Sequence, residues 1–189
     1  MPRPDRRPRI ADAALELAAS GGTHALTHQA IDRRLDLPKG STSYYFRTRE
    51  ALLLAAADRL ITISRERFRG TLELSAGQTN PVEVISDYVT ELVTDRVAEV
   101  TARQALLLDA GIGDDVRGRL RRCFFSEDAA AGLMQSLGSA QPHVAARRLV
   151  TVLEGVVYSH TQGLDRDEPH SSRRGIVADL VTRTLLTLR

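Results

Sequence analysis

A chain of 189 residues that is 42% hydrophobic and 26% charged has an ordinary soluble composition, with room for one larger or two small domains. Aromatics make up only 4% and Trp is absent, so core volume must come from Leu, Val, Ile and Ala, which favours helix packed on helix. The net charge of +2 is unevenly placed: residues 1–49 carry nine basic and five acidic side chains, a net +4, leaving −2 for the rest. That asymmetry points to a polyanion surface at the front of the chain. The single cysteine, Cys123, excludes an internal disulfide framework. No run of about 18 apolar residues exists, and the opening MPRPDRRPRI resembles no signal-peptide core, so a cytoplasmic protein without membrane attachment is expected.

In chain order, Pro8 suits a first helical position, and Ile10, Ala14, Leu17 and Ala18 recur at helical spacing until Gly21-Gly22 ends the first helix. Thr27 caps a short second helix to about Leu35, with Ile31 and Leu35 on one face. Asp36-Leu37-Pro38 breaks it, and Pro38 opens a third short helix to about Phe46. Thr48 caps a fourth, carried by Leu52, Ala56, Leu60 and Ile63 to about Leu74. Ser75 to Thr79 reads as a loop. Asn80-Pro81-Val82-Glu83 then starts a helix with Val82, Ile85, Val89, Leu92 and Val93 on one face. Gly111-Ile112-Gly113 marks a break, and one long helix is expected from Asp114 to Leu137. Two apolar stripes follow, Leu149 to Val157 and Ile176 to Leu188, separated by a polar linker from Gly163 to Ser172. No strand is expected.

Function concentrates between Thr27 and Leu53. Two short helices joined by a tight turn make a helix-turn-helix, whose second helix can enter the major groove. A groove about 12 Å wide admits little more than one helix, so the reading side chains must be small or selective. Lys39, Gly40, Ser41, Thr42 and Ser43 meet that demand, and Tyr44, Tyr45 and Arg49 can reach phosphates while their bodies pack. One such unit reads only a few base pairs, so a twofold dimer is expected, with the terminal stripes as its interface.

The run Pro38-Lys39-Gly40-Ser41-Thr42-Ser43-Tyr44-Tyr45-Phe46, followed by Arg47-Thr48-Arg49-Glu50-Ala51-Leu52, resembles the signature of the TetR family of regulators over about residues 9–60. The resemblance implies an all-α chain of about nine helices. A three-helix DNA-binding domain would occupy residues 1–50, and an all-helical effector-binding and dimerisation domain residues 51–189. It places Thr27, His28 and Gln29 at helix-two positions facing backbone or groove, Lys39 to Ser43 in the reader, and Tyr44, Tyr45 and Arg49 on phosphates. It also implies a homodimer through about residues 142–163 and 172–188, a double-stranded operator, and a small-molecule effector that releases a repressor. Leu35-Asp36-Leu37 stands where the family often has Ala-Gly-Val, so the turn must accept Asp where Gly is common. Asp32 replaces a small apolar residue, and Ser43 stands where Tyr is frequent.

An effector cavity would lie among helices four to eight, with Tyr88, Gln104, Phe124, Phe125, Met134, Glu154 and Tyr158 as candidate liners. Enzyme chemistry finds no support: there is no Gly-rich phosphate loop, nucleophile elbow or metal-ligand spacing, and His24 and His28 fall on different elements. No catalytic residue, metal or cofactor is expected. The rival reading is an all-α small-molecule binding protein or enzyme without DNA activity. Cys123 has a basic neighbourhood of Arg119, Arg121 and Arg122 that could favour its thiolate, a weak basis for redox sensing.

Overall fold

Capping residues and glycines punctuate the chain into ten helices in a computed structural model that describes residues 5–74 and 80–188. The Ser75–Thr79 loop expected from sequence lies outside the described residues. α1 spans Arg7–Ala25 and buries Ile10, Ala11, Ala13, Ala14, Leu15 and Ala18. Gly22 breaks its geometry at φ +67, a left-handed value that favours glycine, and helical backbone resumes as far as Ala25. α2 spans His28–Arg34; its cap Thr27 accepts the Ala30 N–H at 3.1 Å. α3 is only Ser41–Tyr45. α4 runs Arg49–Leu74, with the Thr48 hydroxyl accepting the Ala51 N–H. α5 covers Pro81–Thr94, capped by Asn80, whose side chain accepts the Val82 N–H. α6 covers Val97–Leu108, α7 Asp114–Arg121, α8 Glu127–Ser136, α9 Pro142–Gln162 and α10 His170–Leu188. The described residues contain no strand.

Three expectations are corrected. Residues 114–137 form two helices, α7 and α8, because Ser126 accepts the Ala129 N–H at 3.2 Å and starts a new helix after Arg122 to Phe125. The apolar run from Val82 is interrupted at Asp95-Arg96, between α5 and α6, well before Gly111. Pro38 does not open the third helix: Gly40 sits at φ +91, outside the right-handed helical region, so Pro38 to Gly40 turn the chain and α3 begins at Ser41. The described residues form ten helices where about nine were expected.

The chain divides into two compact units that do not follow chain order: Met1–Arg65 with Ala98–Cys123, and Glu66–Val97 with Phe124–Arg189. In the first, Ile10, Leu26, Ile31, Leu52, Leu60, Val100, Leu106, Val116 and Leu120 are fully buried. Its periphery is tied by Arg59 to Asp12 at 2.6 Å, Arg34 to Glu16 at 2.7 Å, and Arg119 to Asp58. In the second, α8 packs on α9 and α5 on α10, burying Val89, Leu92, Met134, Leu149, Val157 and Val177. The buried Arg173 guanidinium donates to the carbonyls of Val93, Arg166 and Glu168, which fixes the α9–α10 connection onto the C-terminal end of α5.

Candidate nucleic-acid interface

Burial of Ile31 anchors α2 in the first unit, and the turn that follows determines how α3 is presented. The turn closes through Leu35 N–H to Ile31 carbonyl, Asp36 N–H to Arg33 carbonyl, and Leu37 N–H to Asp32 carbonyl at 2.8 Å. Asp36 occupies the left-handed region at φ +51, the conformation that its alignment with a common glycine demands. Asp tolerates it better than most residues, which explains how a turn without glycine still forms.

Asp32 is buried, and its carboxylate organises the start of α3. Oδ2 accepts the Gly40 N–H at 2.7 Å, while Oδ1 accepts both the Thr42 N–H at 2.8 Å and the Thr42 hydroxyl at 2.7 Å. Burial disfavours the charged form, but the Thr42 hydroxyl and the two amides outweigh it, with a smaller contribution from the His28 charge. The Asp32 carboxyl is therefore held below the usual carboxylate value. The far end of α3 is fastened separately, by His28 Nε2–H donating to the Phe46 carbonyl at 2.8 Å.

The predicted contact residues separate into two groups. Gln29, Lys39, Gly40, Ser43 and Tyr44 are exposed, Tyr44 at 81%. Ser41 and Tyr45 are half-buried: the Ser41 hydroxyl donates to the Pro38 carbonyl at 2.6 Å, and Tyr45 meets Tyr44 edge-on at 5.3 Å between centroids. Arg7, on α1, lies 5.7 Å over the Tyr45 ring and adds a cation beside α3. Thr27 is exposed at the α2 cap, and half-buried His28 is committed to Phe46.

One assignment changes, and a second residue gains partners within the protein. Thr42 was read from sequence as a base reader, but it is fully buried and donates to Asp32, so in this conformation it reaches no groove. Arg49 has partners within the protein while its side chain stays partly exposed: it donates to the carbonyls of Leu26 at 2.8 Å and Thr23 at 3.1 Å, and lies 3.3 Å from Asp109. The residues that sequence reasoning passed over are Asp32 and Arg7. An acidic side chain on the apolar face of a short helix, next to Ile31, was the available signal for Asp32.

The candidate effector residues fall in different units. Gln104, half-buried, belongs to the first, and the other six to the second. There Tyr88 is buried against Phe68 and Phe125, with centroids 5.1 and 6.2 Å away, and its hydroxyl donates to the Phe124 carbonyl at 3.0 Å. Arg96 lies over both the Tyr88 and Phe124 rings. Met134 is buried and Glu154 half-buried, whereas Tyr158 is 57% exposed on α9 rather than interior. A shallow cavity of about 300 Å³ lies instead in the first unit, lined by Asp12, Leu15, Glu16, Ile63, Ala98 and Glu99. Buried Cys123 is sheltered from solvent. Among the described residues, no helix is long and apolar enough to cross a membrane, and no cluster of three or more His, Cys, Asp or Glu could hold a metal.

Residues 10–56 match the family model described as bacterial regulatory proteins, tetR family, and residues 76–185 match a tetracyclin repressor-like C-terminal domain. The HTH-type transcriptional repressor KstR of Rhodococcus jostii (strain RHA1) is 28% identical over 145 residues, which is 77% of this chain. The matched segment spans only 60% of that repressor's length. A transcriptional regulator from Rhodococcus sp. Rha1 superimposes with a TM-score of 0.79 at 14% identity, over 97% of each chain. The multidrug binding protein EbrR, crystallised with imidazole, gives 0.66 at 24% identity over 94% of this chain and 96% of its own.

Proposed function

The chain belongs to the TetR family of bacterial regulatory proteins, and from that premise we propose that it is a dimeric transcriptional repressor. It occupies a palindromic operator in the cytoplasm and leaves it when a small molecule binds. The observation that carries this reading is the α2–turn–α3 unit, which holds Lys39 exposed in the turn and Ser43 and Tyr44 exposed on α3, beside the basic start of α1. Lys39 and Tyr44 supply phosphate contacts, while Ser43 and Gln29 are short enough to address base edges.

Residues 1–50 carry DNA recognition in this proposal, and 51–189 carry dimerisation and the effector response. A second copy would pair through α9 and α10, forming a four-helix bundle across a twofold axis. Support comes from Val144, Tyr158, Leu180 and Leu186, large apolar or aromatic side chains left exposed on those two helices. That a structural neighbour is a multidrug binding protein crystallised with imidazole supports a ligand-responsive helical part. Tyr88, Phe124, Phe125, Met134 and Glu154 remain the candidate lining. An all-α binding protein or enzyme without DNA activity is the competing reading, and family membership disfavours it.

Footprinting with the full chain on genomic fragments, at moderate salt, separates the two. Protection of a palindromic site with half-sites about 34–36 Å apart, or a multiple of that, supports the repressor. No fragment bound in preference to bulk DNA would support the competitor.

A further inference from the structure

Asp32 gathers four hydrogen bonds from across the helix-turn-helix. Its carbonyl accepts Leu37 N–H, and its carboxylate accepts Gly40 N–H, Thr42 N–H and the Thr42 hydroxyl. Few alternatives could hold this backbone. α3 has five residues and buries only Thr42, so little apolar packing orients it. Gly40 takes φ +91, a conformation with which its N–H reaches the Asp32 carboxylate. Lys39 and Ser43 flank the two amides that Asp32 holds, and both are exposed.

We infer that Asp32 is the positioning residue of DNA reading: its carboxylate fixes the Gly40 and Thr42 amides, and through them the direction in which Lys39 and Ser43 are presented to the groove. The inference rests on the repressor reading above. It assigns sequence selectivity in part to a buried acid that touches no DNA, and it gives Thr42 the role of Asp32's partner. A carboxylate aimed at two backbone donors cannot be replaced by its amide without turning an N–H₂ group toward an N–H, so Asp32→Asn perturbs the site at nearly constant volume. Asp32→Glu keeps the charge but moves it by one methylene. Thr42→Val removes one bond of the three while keeping both amides.

The test compares affinity for a selected operator duplex with affinity for a random duplex, on full-length variants whose folding is checked by circular dichroism. Amide chemical shifts of Gly40 and Thr42 serve as a local probe. The expected result is an operator-to-random ratio reduced at least about tenfold in Asp32→Asn and about threefold in Thr42→Val. Random-duplex affinity should fall less than operator affinity, because Lys39 keeps its charge and its long side chain can still reach a phosphate, whereas the short Ser43 loses its register with the bases. Gly40 and Thr42 amide shifts should move in Asp32→Asn and return toward wild type in Asp32→Glu. A merely structural role would lower stability and leave the ratio of the folded protein unchanged, which overturns the inference while wild type still prefers its operator. If Asp32→Asn does not fold, Thr42→Val decides alone: an unchanged ratio overturns it. A wild-type protein without operator preference overturns the repressor reading, and this inference with it.

Discussion

The Arg49 guanidinium lies 3.3 Å from the Asp109 carboxylate, joining the first residue of α4 to the segment that follows α6. The same guanidinium donates to the carbonyls of Thr23 and Leu26, so one side chain gathers the end of α1, the α1–α2 connection, α4 and residue 109. Asp109 is itself held, its carboxylate accepting the Gly111 N–H at 2.8 Å. That bond, with help from Thr23 and Arg49, keeps its pKa below the usual carboxylate value. Because the Arg49 side chain is 46% exposed, the ion pair contributes little and the two carbonyl bonds dominate. Arg49→Ala should therefore cost about 1–2 kcal/mol of stability, and Asp109→Asn no more than about 0.5 kcal/mol, in urea unfolding. Equal losses would show that the ion pair, not the carbonyls, is what matters.

Asp32 gives the first unit an acid signature. Its folded-state pKa lies below the ordinary 3.8, chiefly because the Thr42 and Gly40 donors overcome the effect of burial. A depressed folded pKa means a stabilisation that is complete above the unfolded value and is lost as pH falls through the folded value. The stability difference between wild type and Asp32→Asn should be about 2–3 kcal/mol near neutral pH and shrink below about pH 4. A difference that stays constant down to about pH 3 would show that the carboxylate charge is irrelevant.

At Asp36 the left-handed φ of +51 costs backbone energy that glycine would not incur. Asp36→Gly should leave stability equal or raise it by up to about 1 kcal/mol, while Asp36→Val should lower it by about 1–2 kcal/mol. Thermal melts of the two variants provide the check, and a more stable valine variant would refute the backbone argument.

The exposed Leu186 on α10 tests the dimer surface. In the proposed bundle, Leu186→Asp places a charge in an apolar interface, so sedimentation at micromolar concentration should find monomers. Operator affinity should fall at least about tenfold, since one reading head alone contacts one half-site. A variant that remains dimeric would move the interface elsewhere.

Much of this was legible in the sequence because short-range rules govern it. Thr27, Thr48 and Asn80 announced their helices as caps, and Asp36 marked a turn position where glycine is usual. Other features depend on partners distant in sequence. Thr42 looked like a small hydroxyl on a reading helix, and only the carboxylate ten residues earlier shows that it faces inward. The acceptors of Arg49, two carbonyls and Asp109, lie 23, 26 and 60 residues away, beyond the reach of short-range rules. Ser126 is one polar residue in a basic, mixed stretch without proline, and that is why two helices read as one.

The most direct test of the account is fluorescence anisotropy of the full chain on its footprinted duplex against a random duplex of the same length, titrated across salt concentrations. The account predicts two protomers per duplex, affinity at least about a thousandfold tighter for the footprinted site, and a log–log salt slope that flattens by about one per protomer in Lys39→Ala. Equal affinity for both duplexes at every salt concentration would contradict it.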